Sequence, residues 1–489
     1  MIYLLFVDLV YIQATKMQIK IIYLLGVVFL TLACIALRPH DGIEKPNIIL
    51  IYLDDLGYGD LGITGATGYD TPNINAMIHN GAFFTQFYSP QAVCTASRAG
   101  VLTGCYPNRL GFSGAMDHTS NKGLHEEEET IAELLKSNGY ATAIFGKWHL
   151  GHKNQFLPLA HGFDEYYGIP YSNDMWPHHP VTKDYYPPLP LISQNTVIEE
   201  NPDQRKFTTA FTEKTLAFIE KSKKKPFFIY LAHPMPHVPL FVSDKFKGKS
   251  GQGLYGDVIM EIDWSVGQIR DYLKQNNLDK NTVLILTSDN GPWLNYGNHA
   301  GSTGGLREGK GSTYDGGQKV PCIVEWQGMT PKGLVINKLA SAIDLLPTLC
   351  EITSSKMPTK KIDGVSLYSL LKGDRKAEPR KHFAYYYRQN NLEAIRYRDW
   401  KLVFPHPGRT YEGFDPGKDG KPGGANENYN FSGGLYDLRR DPGERYNVQF
   451  ANKEVYDTIT RIAESMRLDL GDNLTGDKGI GKRAIGEIK

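Results

Sequence analysis

The sequence predicts an α/β fold: a large, mostly parallel central sheet flanked by helices, with a smaller C-terminal antiparallel sheet plus helix. Three observations predict it. Residues 47–53 (NIILIYL), 226–232 (PFFIYLA) and 282–288 (TVLILTS) are short, continuous apolar runs, as parallel strands buried on both faces are. Segments with helical periodicity lie between them, so strand and helix alternate. Near residue 375 the pattern changes to short, closely spaced aromatic runs, HFAYYYR, EAIRYR and WKLVF, which suit an antiparallel sheet.

The chain opens on a targeting pattern. Lys20 precedes an uncharged apolar run that ends at Arg38, so residues 1–38 read as an export signal, with Met17 an alternative start. The run is close to the lower limit of a membrane anchor, but no stable span is expected. Cys34 is a candidate lipid attachment point, although Thr31 stands where such signals usually carry leucine. The protein is therefore expected to be exported: periplasmic, extracellular or surface-attached.

The remaining elements follow in order. Residues 71–81 (TPNINAMIHNG) carry a cap-like Thr71, Pro72 in the first turn and Gly81 as a stop. Residues 127–139 (EEETIAELLKSNG) place acids at a helix start, Lys136 near its end and Gly139 after it. ATAIF (141–145) reads as a strand. Phe207, Phe211 and Phe218 share one helical face, and Val258, Ile262, Val266, Ile269 and Leu273 mark a long amphipathic helix. The Gly/Lys/Asn-rich stretch 407–434 is expected to be a surface loop, and a last helix is expected over roughly 452–470. These elements suggest an α/β domain over 45–375 and a C-terminal α+β subdomain over 376–489.

Composition narrows the function classes. With 489 residues, the chain is long enough for a large core, and a net charge of +1 argues against nucleic-acid binding through bulk charge. Past the signal, Cys94, Cys105, Cys322 and Cys350 are widely and irregularly spaced, with neither a zinc pattern nor a disulfide framework. Cys322, inside an apolar run, reads as a core residue.

Polar residues gather after the strands. Asp54-Asp55 follow the first, Asp289-Asn290 follow 282–288, Lys147 and His149 follow 141–145, and His233 and His237 follow 226–232. Ligands of parallel α/β sheets bind beyond the carboxyl ends of the strands, so these groups converge on one edge. An acidic pair after a strand is by itself often a turn or a helix cap. Two such pairs, each ending a buried strand, point instead to a metal site with three carboxylates and one amide oxygen. These hard donors favour Ca²⁺ or Mg²⁺. Lys310, in the glycine-rich stretch LREGKGST, is weak evidence alone.

With these residues in view, the chain resembles the sulfatase family, most closely its arylsulfatase A-like group, on an alkaline-phosphatase-like scaffold. The matching segments are IYLDDLGYGDLG, VCTASRAGVLTG, GKWHLG, GIPYSND, PHVP, TSDNGP and EGKGSTYDGG, in the family's order between residues 47 and 325. The resemblance implies that Cys94 is oxidised to a formylglycine aldehyde by a maturation enzyme, with Arg98 supporting its hydrate. It implies one divalent cation on Asp54, Asp55, Asp289 and Asn290. It also implies that Lys147, His149, His237 and Lys310 hold sulfate or move protons, and that Ser172 contacts sulfate. His233 has no match among catalytic positions. The chain departs from the common pattern at Ala96, Cys105 and Lys319, and none of these removes a catalytic group.

The implied chemistry is physically coherent. A sulfate monoester is anionic and resists water, so catalysis needs positive charge and a strong nucleophile. A hydrated aldehyde offers one hydroxyl to attack sulfur and a second whose deprotonation expels sulfate. His149 is expected as base for that second hydroxyl, and His237, with Lys310 beside it, as acid for the leaving oxygen. The leading expectation is a sulfuric ester hydrolase acting on a sulfated carbohydrate. The alternatives are a hydrolase of small aryl sulfates or of phosphonate or phosphate esters, and a silent sulfated-glycan binder. Trp176, His178, His179, a neighbouring tyrosine pair and His299 are candidate sugar contacts.

Overall fold

The computed structural model describes residues 2–36, 45–183 and 185–488. The expected signal boundary at Arg38 and the side chain of Cys34 lie outside the described residues. Ile2–Ala36 is helical and forms a unit of its own. Among the described residues, no helix is long and apolar enough to cross a membrane.

Residues 46–488 form a second compact unit built on a ten-stranded sheet. In chain order its strands are β1 (Asn47–Leu53), β2 (Ala82–Phe84), β3 (Ala141–Lys147), β4 (Glu165–Ile169), β5 (Pro190–Ser193), β6 (Thr196–Glu200), β7 (Phe227–Ala232), β8 (Thr282–Ser288), β9 (Cys322–Trp326) and β10 (Leu334–Ile336). Their spatial order is β10-β2-β9-β8-β1-β7-β3-β4-β5-β6. The central strands β8, β1, β7, β3 and β4 are all parallel, and antiparallel strands flank them.

Helices on both faces explain the continuous apolar runs. Ile48, Leu50 and Tyr52 of β1 enter one core cluster, and Ile49, Ile51 and Leu53 enter another. The first cluster lies under α2 (Cys94–Thr103), α3 (Ile131–Ser137) and α6 (Leu345–Thr353). The second lies under α1 (Pro72–Asn80), α4 (Phe207–Ser222) and α5 (Gly253–Gln275), where Phe211, Phe218, Val258, Ile262 and Leu273 are buried as their spacing predicts. Acids 127–129 precede α3 rather than opening it. Its cap is Thr130, whose Oγ1 accepts from Glu133 N–H while Glu133 accepts from Thr130 N–H.

The C-terminal part is a four-stranded antiparallel sheet, β11 (His382–Tyr387), β12 (Asn391–Tyr397), β13 (Trp400–Val403) and β16 (Gly434–Asp437), covered by α7 (Lys453–Leu470). The stretch 407–434 is not the surface loop its composition suggests. It contains an antiparallel hairpin, β14 (His406–Thr410) and β15 (Asn426–Phe431). The turn-forming residues belong to its connection, and β15 is mostly exposed, so no apolar alternation marks it.

Candidate active site

The carboxyl edge of the parallel strands carries the site. β1 and β8 run in register with Leu53 opposite Ser288, so Asp54-Asp55 and Asp289-Asn290 emerge side by side. Asp55 N–H donates to Asp289 Oδ1 at 3.1 Å. β3 reaches the same edge through Gly146, opposite Ala232 of β7. Gly146 has φ +117°, and a Cβ there would lie 1.9 Å from the Ala232 carbonyl oxygen, so glycine alone lets Lys147 end this strand.

Cys94 is the first residue of α2 and is buried. The backbone N–H groups of the first turn face this end of the helix, where they favour an anion. One turn on, the Arg98 guanidinium joins three segments. Its Nη2 lies 2.7 Å from Asp289 Oδ2 and 3.3 Å from Asp54 Oδ2, and its Nη1 donates to the Lys147 carbonyl at 3.1 Å. Lys147 Nζ lies 2.5 Å from Asp54 Oδ2 and donates to Ser172 Oγ at 3.0 Å. Lys310 Nζ lies 2.7 Å from Asp55 Oδ1, and His237 Nε2 lies 3.7 Å from Asp55 Oδ2. The fold thus brings Asp54, Asp55, Arg98, Lys147, Ser172, His237, Asp289, Asn290 and Lys310 into one connected buried cluster.

Electrostatics follow from burial and pairing. Burial opposes the charged form of Asp54, but Lys147, then His237, Arg98 and Lys310, outweigh it and hold the carboxyl well below its usual range. Asp289 is pushed up to about 7 by burial and by Asp54 beside it, against Arg98. Burial also raises the Cys94 thiol, opposed by Lys147 and Lys310 and aided by Asp54 and Asp289, so it shares their field. A thiol kept protonated in this way is a weak nucleophile. Burial and then Lys147 lower His149 well below its ordinary value, which leaves it neutral. Its Nε2 lies 2.7 Å from the Met116 carbonyl. A carbonyl only accepts, so Nε2 carries the proton and donates. The other nitrogen, Nδ1, is buried without a protein partner and keeps its lone pair for a proton.

The donor set fits a hard divalent cation. Asp54 Oδ1 and Asn290 Oδ1 are buried and have no protein partner. The Asn290 amide is oriented by donation from Nδ2 to Asp55 Oδ1 at 2.6 Å and to the Gly291 carbonyl at 2.9 Å, which directs its oxygen away from both. One ligand atom each from Asp54, Asp55 and His237 lies within 4.8 Å of the others. The acids Asp54, Asp55 and Asp289 are matched by Arg98, Lys147 and Lys310, so a divalent cation would leave the cavity positive, as an anionic ester requires.

The family model described as Sulfatase matches residues 46–355, and that of the C-terminal region of aryl-sulfatase matches 378–477. The chain belongs to the sulfatase family. It is a sulfuric ester hydrolase, and curated sulfatases resemble it over most of its length. Mouse (Mus musculus) N-acetylgalactosamine-6-sulfatase is 36% identical over 467 residues, covering 89% of this chain and 88% of the relative. Human (Homo sapiens) arylsulfatase A is 36% identical over 432 residues, covering 83% of each. Among solved structures, the PsFucS1 sulfatase from Pseudoalteromonas sp. aligns with a TM-score of 0.77 at 26% identity, covering 86% of this chain and 90% of that one.

Some residues of this sulfatase lie apart from the cluster. His233 is fully buried and bonded to Ser265 Oγ at 3.3 Å. His179 Nδ1 accepts from the Val181 and Thr182 N–H groups and so latches its own loop. Trp176 stacks edge-on with His178 and Phe241, Tyr185 and Tyr186 flank His118, and His299 faces Asp419 and Gly420. Sequence reasoning missed the Met116 carbonyl, which sets the His149 tautomer, because a backbone acceptor has no residue signature. It also missed Trp293, whose ring lies 4.6 Å from Lys310 Nζ and 5.7 Å from the His237 ring. The residue after TSDNGP was the only available cue.

Proposed function

We propose that this sulfatase removes sulfate from a sulfated carbohydrate, with Cys94 matured to formylglycine and one cation, Ca²⁺ or Mg²⁺, on Asp54, Asp55, Asp289 and Asn290. The supporting observation is the convergence of Arg98, Lys147 and Lys310 with these acids beside a buried, protonated Cys94. The hydrated aldehyde would supply the nucleophilic oxygen, and the cation would polarise the sulfuryl group. The chain's own residues do the rest. Lys147 and Ser172 hold sulfuryl oxygens, and Arg98 orients the acids at the base of the site. His149 Nδ1 takes the proton whose removal releases sulfate. His237 and Lys310 deliver a proton to the departing alcohol oxygen.

The mouse relative's name supports a sugar sulfate as substrate. The aromatic group of Trp176, Tyr185 and Tyr186, in the loop that follows Ser172, is of the kind that packs against sugars. In this reading residues 45–375 carry the catalytic groups, 376–489 form the C-terminal subdomain, and residues 1–38 direct export. The test has two parts. Mass spectrometry of the Cys94 peptide must show the aldehyde. The matured protein, assayed on sulfated glycans, aryl sulfates and phosphonate esters, is expected to prefer a glycan sulfate. Turnover of aryl sulfates alone, or faster phosphonate cleavage, rejects the substrate assignment, and an unmodified cysteine with no turnover leaves a glycan binder.

A further inference from the structure

The loop that carries Lys310 lies outside any helix or strand, yet its ammonium sits within 2.7 Å of Asp55. Two backbone bonds come from the α/β part: Lys310 N–H donates to Pro292 O and Gly311 N–H to Ala92 O, both at 2.9 Å. Further bonds to the Lys310 and Glu308 positions come from hairpin β14–β15 and the residue that follows its first strand. The Tyr411 hydroxyl donates to the Lys310 carbonyl at 2.5 Å, and Arg409 Nη1 donates to the same oxygen at 3.3 Å. Two residues earlier, Glu308 accepts from Thr410 Oγ1 at 2.6 Å and from Tyr411 N–H at 2.9 Å. Gly311 has φ +81°, and a Cβ there would come within 2.8 Å of Arg409 Nη1, so the guanidinium packs directly on the loop. Glu427 of β15 holds Arg409 Nε at 2.9 Å. The Trp293 ring takes both cations, Lys310 Nζ at 4.6 Å and Arg409 Cζ at 5.9 Å.

We infer that Arg409 and Tyr411 are positioning residues for Lys310, through which the C-terminal hairpin aligns proton delivery to the leaving oxygen. Both bond the Lys310 carbonyl rather than its ammonium. They therefore set where the side chain starts and what it reaches, and leave its charge to Asp55. This rests on the assignment of Lys310 and His237 to the leaving-group side. A departing alkoxide or weakly acidic phenoxide needs the proton, whereas an acidic nitrophenoxide leaves without it. A misaligned Lys310 must therefore slow esters in proportion to the basicity of the leaving group.

The test uses matured, metal-loaded full-length protein and aryl sulfates graded from 4-nitrophenyl to 4-methoxyphenyl sulfate. Wild type is compared with Lys310→Ala, Tyr411→Phe, Arg409→Ala and Arg409→Lys. Tyr411→Phe is expected to lower kcat on the least acidic phenol by about tenfold or more, with little change on the nitrophenyl ester, in KM or in Tm. Arg409→Lys is expected to recover much of the Arg409→Ala loss, and if Arg409→Ala does not fold, Tyr411→Phe carries the test. Equal losses on every ester in Tyr411→Phe, no loss, or an effect confined to KM overturns the inference. A leaving-group effect in Lys310→Ala with none in Tyr411→Phe overturns the inference alone. Its absence in Lys310→Ala overturns the assignment of Lys310 and the inference with it.

Discussion

Each residue of the site is tuned by neighbours distant in sequence. Burial and Lys147 keep His149 neutral, and the Met116 carbonyl, by occupying Nε2, leaves Nδ1 as the nitrogen with the lone pair. His149→Ala is expected to cut kcat by about 10²–10⁴-fold while the protein stays folded, checked by kinetics beside circular dichroism. The proposed cation is tested at the same residues. Dialysis against a strong chelator should abolish turnover, and added Ca²⁺ or Mg²⁺ should restore it. Asp289→Asn should weaken metal affinity, read as a higher metal concentration for half-maximal activity. The residue types at these positions were legible in the sequence, through the acidic pairs and the CTASR and GKWHLG segments. Their protonation states were not, because those depend on burial and on side chains brought in by other strands.

At the scale of single elements, most helices and strands follow from local pattern. Alternate β1 residues face two separate cores, so the run 47–53 could be continuous. Caps were less exact. The glutamates before α3 suggested its start, but the helix begins at Ile131 and is capped by Thr130, whose side chain also donates to the His161 carbonyl at 3.0 Å. Thr130→Ala is expected to cost about 1–2 kcal/mol, measured by denaturant unfolding. The hairpin β14–β15 escaped notice because its strands pair with each other rather than burying an apolar stripe.

At the scale of the whole molecule, a buried charge network joins the C-terminal sheet to the α/β part just after the Lys310 loop. Lys401 of β13 lies 2.9 Å from Asp315 Oδ1 and 2.8 Å from Glu444 Oε1, and Tyr88 OH donates to Asp315 Oδ2 at 2.7 Å. Lys401→Met strands two buried acids and is expected to destabilise by about 3–5 kcal/mol, seen as a lower unfolding midpoint. Buried histidines weaken the fold in acid. Burial pushes His233 down to about 3, and His161 and His406 down to about 4. The unfolded chain takes up these protons first, so this stability is present above about pH 6.5 and is lost as pH falls toward the folded values. For His233 the loss is roughly 4–5 kcal/mol. His233→Gln should flatten the fall in Tm between about pH 7 and pH 4.5.

By itself the sequence determined the α/β class, the order of the main elements and the chemical inventory of the site. Apolar periodicity and strand-end composition are local properties that survive without knowledge of the fold. Only the tertiary structure decided that the C-terminal hairpin reaches the Lys310 loop and that His149 is held neutral with one nitrogen free. It also decided that Arg98 bridges Asp54 and Asp289. Those outcomes depend on backbone acceptors, desolvation and contacts across as many as 191 positions of chain, and no short stretch of residues encodes them.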